Sequence, residues 1–429
     1  MNQSRGTAEL PSAAAKSSAR PVPGGVPDLP ADPLARPARL PRLAGTPALL
    51  LLASLIVSML AASIAPSPLY AFYQREWGFT PITTTIVFGV YAVAVLSSLL
   101  VFGRLSDYTG RRPVLLGALA VQVVSLLVYA SASGVGELMA ARVIQGLSTG
   151  AALGAIGAGM LDISRDRGAL ANALAPGIGT GAGALLSALF VQFLPAPAHL
   201  IYLVLAGVMV LQAAGVALLR ETVTRSPVRL SALVPEVRLP RAVRAPMLAA
   251  APVVFAVWAL AGLYAALAPA LVQSLTGSSS VVLGGASMTT LTATAVASVY
   301  LLRKAPARTV MLTGVIALVA GVAITLVALG TGSTALFFAG TAVSGIGFGS
   351  GFQGGIRTVV PLAAPHERAG VLSLVFVVAY LGMGVPVVAA GFLAVHGAGI
   401  IGAARDYGVA LIVLAGLALV ALARTRRSG

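Results

Sequence analysis

Cysteine is absent from the chain, which excludes disulfides, thiol nucleophiles and thiolate metal sites at once. Histidine is nearly absent too. His199, His366 and His396 stand far apart at the ends of apolar runs or in loops, which fits three solvated side chains better than a metal site. Lysine occurs only as Lys16 and Lys304, preceded by Ala15 and Arg303, so the Gly-Lys pair of a phosphate-binding loop is missing and ATP hydrolysis by this chain is excluded. Charged residues make up 9% of the 429 residues against 58% hydrophobic, too little polar side chain to cover a soluble globule. The bilayer must be the main solvent. No cofactor is expected, and no nucleophile and base stand together as an enzyme would need.

What the chain does have is a succession of apolar runs. Six precede the middle of the sequence: Thr46 to Phe72, Ile82 to Phe102, Pro113 to Ala132, Val135 to Met160, Ala169 to Phe193 and Leu200 to Leu219. Six follow it: Met247 to Val272, Val281 to Leu302, Thr309 to Gly330, Thr334 to Val360, Gly370 to Val395 and Tyr407 to Ala423. Each is about the ~20 residues that a membrane-crossing helix needs. The first 45 residues, rich in Pro, Ala, Arg and Ser, read as a disordered tail. The first apolar run exceeds the ~7 to 15 residues of a signal-peptide core and is expected to be retained as a helix. The predicted organisation is therefore a tail (1–45), a six-helix bundle (46–219), a basic linker (220–246), a second six-helix bundle (247–423) and a short tail (424–429).

The formal net charge of +16 could suggest nucleic acid, but the arginines fall in short clusters between apolar runs without interleaved aromatics, so no nucleic-acid partner is expected. They carry topology instead. With twelve spans, 25 of the 28 basic residues fall on the side of the two termini; only Arg75 and Arg405 lie opposite and Arg142 within a span. Because cytoplasmic loops hold the excess of Lys and Arg, both termini are expected in the cytoplasm. A miscounted span would scatter these charges to both faces. The halves also echo one another, since Gly146, Gly150 and Arg104 recur as Gly345, Gly349 and Arg303 at an offset of 199.

One charged turn stands out, GRLSDYTGRRP from Gly103 to Pro113, between the second and third spans. Gly103 permits close helix approach and Gly110 a positive-φ turn, while Arg111 and Arg112 suit anionic headgroups. Asp107 can satisfy the free N–H groups at the positive end of a neighbouring helix; a solvated turn residue is the plainer alternative. Inside the fourth span, Arg142 is a charge in an apolar run, expensive enough to suggest function. Its bland alternative is snorkelling to the interface beside Glu137. Gln145 lies at i+3 on the same helical face. Pro66 and Pro68 should kink or break the first span near its outer end.

The turn GRLSDYTGRRPVLL resembles the loop signature of the major facilitator superfamily, Gly-x-Leu-x-Asp-x-x-Gly-Arg-Arg, and RVIQGLSTGAALGA resembles the second motif of its drug-export branches. The resemblance runs from about Thr46 to Ala423. It implies an all-α membrane fold of 12 transmembrane helices in two pseudo-symmetric six-helix bundles, with Gly103, Asp107, Gly110, Arg111 and Arg112 in gating. In that family the matching acid meets the eleventh helix in the outward-open state, so Asp107 is expected to face the helix beginning near Gly370. The arginine matching Arg142 is implicated in proton coupling. Antiporters of this kind often carry an acid in the first helix, but Leu49 to Tyr70 hold none. That leaves Glu137 as the proton-site candidate by elimination, and facilitated diffusion open.

Cavity candidates are Tyr70, Tyr91, Gln122, Trp258, Tyr264 and Gln353, with Tyr129, Gln212 and Tyr380 beside them, and each alone is as well explained by packing. So apolar a set suits an uncharged or amphiphilic compound. The expected function is proton-coupled efflux of a small apolar or amphiphilic substrate across the plasma membrane by a monomer. An importer or facilitator of a neutral metabolite, or a non-transporting receptor or scaffold, are the alternatives.

Overall fold

In a computed structural model, the described residues are 42–224, 226–227, 234–235, 237–278, 280–364, 366–397 and 399–424. The predicted tails, up to residue 41 and after 424, and Arg225, Arg229 and Glu236 of the basic stretch lie outside them. The described residues are mostly helical: α1 (Gly45–Ile64), α2 (Pro66–Trp77), α3 (Pro81–Phe102), α4 (Leu105–Thr109), α5 (Arg111–Ala130), α6 (Val135–Ile163), α7 (Arg165–Phe193), α8 (Pro197–Ala217), α9 (Arg241–Thr276), α10 (Val281–Leu301), α11 (Ala307–Thr331), α12 (Thr334–Val359), α13 (Arg368–His396) and α14 (Gly399–Arg424). These form 12 segments long and apolar enough to cross a membrane, α1–α2 and α3–α4 each counting as one. A spanning helix satisfies every backbone N–H and C=O within itself, which is what hydrocarbon demands.

The helix limits follow local chemistry. Pro66 occupies the first position of α2, where its missing N–H costs nothing, so the first span breaks at Ala65 as the prolines predict. Gly78 in the left-handed region ends α2. Two limits differ most from the apolar runs. The last helix begins at Gly399, eight residues before Tyr407, because Arg405 and Asp406 are exposed and interrupt the run without interrupting the helix. α9 begins at Arg241 and so takes in Arg241 and Arg244 of the basic stretch. The charged turn is not a bare turn either, since α4 lies inside it.

Two apolar clusters form the interior. One is built from α1 to α8; the other from α9 to α14, joined by Ile64, Phe88, Tyr91, Ala92, Val95 and Ala184 from the first half. The echo between halves has a physical counterpart. Gly146 and Gly150 of α6 abut the α3 backbone at Tyr91 and Val95, while Gly345 and Gly349 of α12 abut the α10 backbone at Leu291 and Ala295. Ser98 donates to Leu147 O at 2.5 Å and Ser298 to Ile346 O at 3.5 Å. Small residues at matched positions let backbones approach closely, the usual way helices associate where lipid removes the hydrophobic drive.

The halves meet along two pairs, α3 against α13 and α7 against α10. A Cβ on Gly391 would lie 2.0 Å from Thr85 Oγ1, one on Gly89 3.0 Å from Val388, and one on Gly384 3.3 Å from Ala92 Cβ. Thr289 Oγ1 donates to Gly181 O at 2.9 Å, and Val281 N to Gln192 Oε1 at 3.1 Å. Ser67 of α2 donates to Ala265 O of α9. All these contacts run from the middle of the helices to the end away from the chain termini.

Candidate functional site

Arg142 lies two turns into α6 and is fully buried, the one buried charged side chain among the described residues. Its position turns it inward beside α1 and α2. Nη1 donates to Ser63 O at 2.6 Å and to Gln145 Oε1 at 3.0 Å, and Nη2 donates to Tyr70 OH at 2.6 Å. The guanidinium sits 5.8, 5.2 and 5.9 Å from the ring centres of Tyr70, Tyr91 and Tyr129. Gln145 is held in turn by Ala62 O at 3.1 Å and by Tyr129 OH at 3.2 Å. The break at Ala65 helps, because it brings the Ser63 carbonyl at the end of α1 and Tyr70 on α2 to one guanidinium.

Taking a guanidinium out of water costs several kcal/mol, and desolvated cation–π contacts return about 2 kcal/mol each. Neutral groups thus offset much of the desolvation, yet Nε has no hydrogen-bond partner. Arg142 does not snorkel. Glu137 is exposed at the start of α6 and accepts from Ser133 Oγ at 3.4 Å, so the structure does not bring it to Arg142 or Gln145. None of the described carboxylates is buried.

Across the interface, Trp258 of α9 sits among rings of α12 and α13, with centroids 6.2 Å from Phe348, 5.2 Å from Phe352 and 5.1 Å from Tyr380. Its Nε1 is buried without a partner. Tyr91 and Tyr380 belong to one apolar cluster, which links this box to the rings over Arg142. The other cavity candidates lie apart. Tyr264 is spent on Thr341 Oγ1 at 2.8 Å, within the second half. Gln353 is half-buried on α12 beside Phe352. Gln122 faces α6 from α5, between Ala118 and Ser125, which accept from Ser148 and donate to Ala141 O; it is fully buried, and both its amide atoms lack partners.

The charged turn is a fastening. Gly110, at φ 97°, opens α5, and the Glu221 carboxylate behind α8 accepts from Arg111 N at 2.8 Å and Arg112 N at 3.1 Å. An acid at the positive end of a helix satisfies free N–H groups there. A Cβ on Gly110 would stand 2.5 Å from Glu221 Oε2, so glycine is required both for its φ and for that approach. Arg111 pairs with Asp107 at 2.5 Å and Asp162 at 3.2 Å and donates to Ser106 Oγ at 2.7 Å. Arg112 donates to Ala217 O. Both arginines are thus engaged in protein contacts rather than left to headgroups alone. Asp107 does not reach α13 here; Gly370, in the first turn of α13, lies against Arg238.

Several residues escaped the sequence reading. Glu221 was visible as one of two acids in a basic stretch, but nothing in spacing pointed it at Gly110. Tyr73 and Tyr202, whose hydroxyls lie 3.2 Å apart, back the Arg142 cluster, with Tyr202 stacked on Tyr129 at 4.8 Å. Tyr73 follows Tyr70 by three residues, a same-face signal. Phe348 and Phe352 form another such pair.

Two halves of six spans, packed through small residues at one end, with a buried arginine inside the first half, have the build of a multi-pass membrane protein of the transporter class. The chain belongs to the Major Facilitator Superfamily, whose model matches residues 50–385. Citrate exporter 1 of Aspergillus niger is 34% identical over 128 residues, 29% of this chain and 24% of that protein. The cephamycin export protein CmcT of Amycolatopsis lactamdurans is 33% identical over 127 residues, 28% of this chain and 26% of that protein. The chain thus matches about a quarter of the length of these curated relatives. Among solved structures, a bacterial homolog of the human lysosomal transporter Spinster, inward-facing and unoccupied, superposes with TM-score 0.69 at 12% identity, over 87% of this chain and 95% of that one. The nucleoside transporter NupG gives 0.61 at 13% identity, over 87% and 97%. At such identities these neighbours speak for the fold. Transport, rather than catalysis, is the activity that the family supports.

Proposed function

We propose that the chain is a secondary transporter of the cell membrane, acting as a monomer, that exports a small amphiphilic compound by alternating access, in exchange for protons. The observation that carries this reading is the one-sided seam: α3 with α13 and α7 with α10 close the molecule at the end away from the termini. With the termini cytoplasmic, as the bias of 25 in 28 basic residues argues, that end is the outer one and the molecule stands ready to load from inside. The partly matching relatives named as exporters favour the same direction. The turn around Asp107 and Gly110 acts as the gate fastening at the inner end, and Arg142 with Gln145 meets what passes.

A second reading, transport without proton exchange, is favoured by the lack of any buried carboxylate among the described residues. Flux of a substrate panel into inverted vesicles, with and without an imposed pH gradient, decides. Accumulation driven by acid inside supports proton-coupled export; equal flux without the gradient supports the second reading. Uptake in the opposite sense supports import, and no flux of any compound would leave a receptor or scaffold.

A further inference from the structure

We propose that the substrate is a small organic monoanion, a carboxylate on a flat apolar body, whose charge Arg142 compensates and whose body the box around Trp258 receives. The proposal rests on the transport reading and narrows its substrate. An arginine keeps its charge at every accessible pH. Buried arginines are therefore paired with acids. Arg142 has rings, a carbonyl, an amide and a phenol around it, and no carboxylate. These neighbours solvate the cation without neutralising it. The missing charge must arrive with something else, and Tyr91, whose ring lies over the guanidinium and packs in one cluster with second-half residues, makes the cargo between the halves the natural source.

Hydrogen-bond capacity agrees. Guanidinium carries five N–H donors; Nε has no partner and Nη2 has one, Tyr70. Nε and Nη2 are adjacent and present the edge that grips a carboxylate with two parallel bonds. The indole Nε1 of Trp258, also buried and unpartnered, adds a donor at the far side of the seam. A neutral cargo would leave the cation uncompensated in the loaded state, and a cationic one would be repelled. A polycarboxylate needs several cations, whereas Arg142 is the one buried charge among the described residues. This replaces the expectation of a neutral compound, which rested on the scarcity of basic residues in the spans rather than on the isolation of the one that is there.

The chain provides its own reporter, because Trp77 and Trp258 are its two tryptophans. In the full chain carrying Trp77→Phe, quenching of the remaining indole is titrated with benzoate and 4-phenylbenzoate, each against its amide. The expected result is saturable binding of the carboxylates at least roughly tenfold tighter than the amides, with the preference lost in Arg142→Gln. The comparison of acid with amide stands with Arg142 intact, so a variant that fails to fold does not blunt it. Equal or tighter binding of the amides, a preference surviving in Arg142→Gln, or no binding of either carboxylate overturns the assignment. Carboxylate preference without flux in vesicles would instead overturn the transport reading, and flux of neutral probes alone would spare transport and sink the anion.

Discussion

Asp107 and Arg142 carry opposite charges under opposite conditions, and magnitudes decide what each can do. The Asp107 side chain is 50% exposed in its 2.5 Å pair with Arg111, and such a pair is worth about 1 kcal/mol or less. Arg111 keeps Asp162 and Ser106 when that partner is neutralised. Asp107→Asn should therefore leave membrane abundance and thermal stability in detergent close to wild type. If Asp107 serves by docking on α13 when the inner end closes, transport in the same variant should fall at least about tenfold, the worth of one charge-assisted contact. Vesicle flux normalised to protein measures it, and wild-type flux would remove Asp107 from gating.

Elements are fastened more firmly than this exposed pair suggests. Glu221 binds the first two N–H groups of α5 across the chain end of α8, and Thr222 Oγ1 donates to Asp162 Oδ2 at 2.8 Å. α5, α6 and α8 are thereby tied at one end. Gly110→Ala places a Cβ against Glu221 at a φ of 97°, and strain of this kind costs about 1–3 kcal/mol. The expected outcome is a midpoint lowered by several degrees in a thermal melt of the purified protein, with Glu221→Ala as its equal; an unchanged midpoint would deny the fastening. The twelve helices themselves were legible because an apolar run of membrane length admits few alternatives. The fastening was not, because it joins residues 110 apart through a carboxylate in a basic stretch. Likewise Arg142 and Gln145 are legible as a pair at i+3, whereas the ring of Tyr70, Tyr91 and Tyr129 around them depends on how α2, α3 and α5 turn.

At the scale of the whole molecule, one seam closes one end, and the same residues must part if cargo is to leave there. Gly391 and Gly384 of α13 face Thr85 and Ala92 of α3, and Gly89 of α3 faces Val388 of α13, so this part of the contact is made through small residues. Because the chain has no cysteine, the seam can be tested directly with a single introduced pair. Ala92→Cys with Gly384→Cys puts two Cβ atoms about where a disulfide wants them, ~3.8 Å apart, against 3.3 Å for Ala92 Cβ and an ideal Cβ at Gly384. Alternating access predicts that oxidation cross-links the pair, that vesicle flux then falls to background, and that reductant restores it. Undiminished flux from fully cross-linked protein would contradict the account.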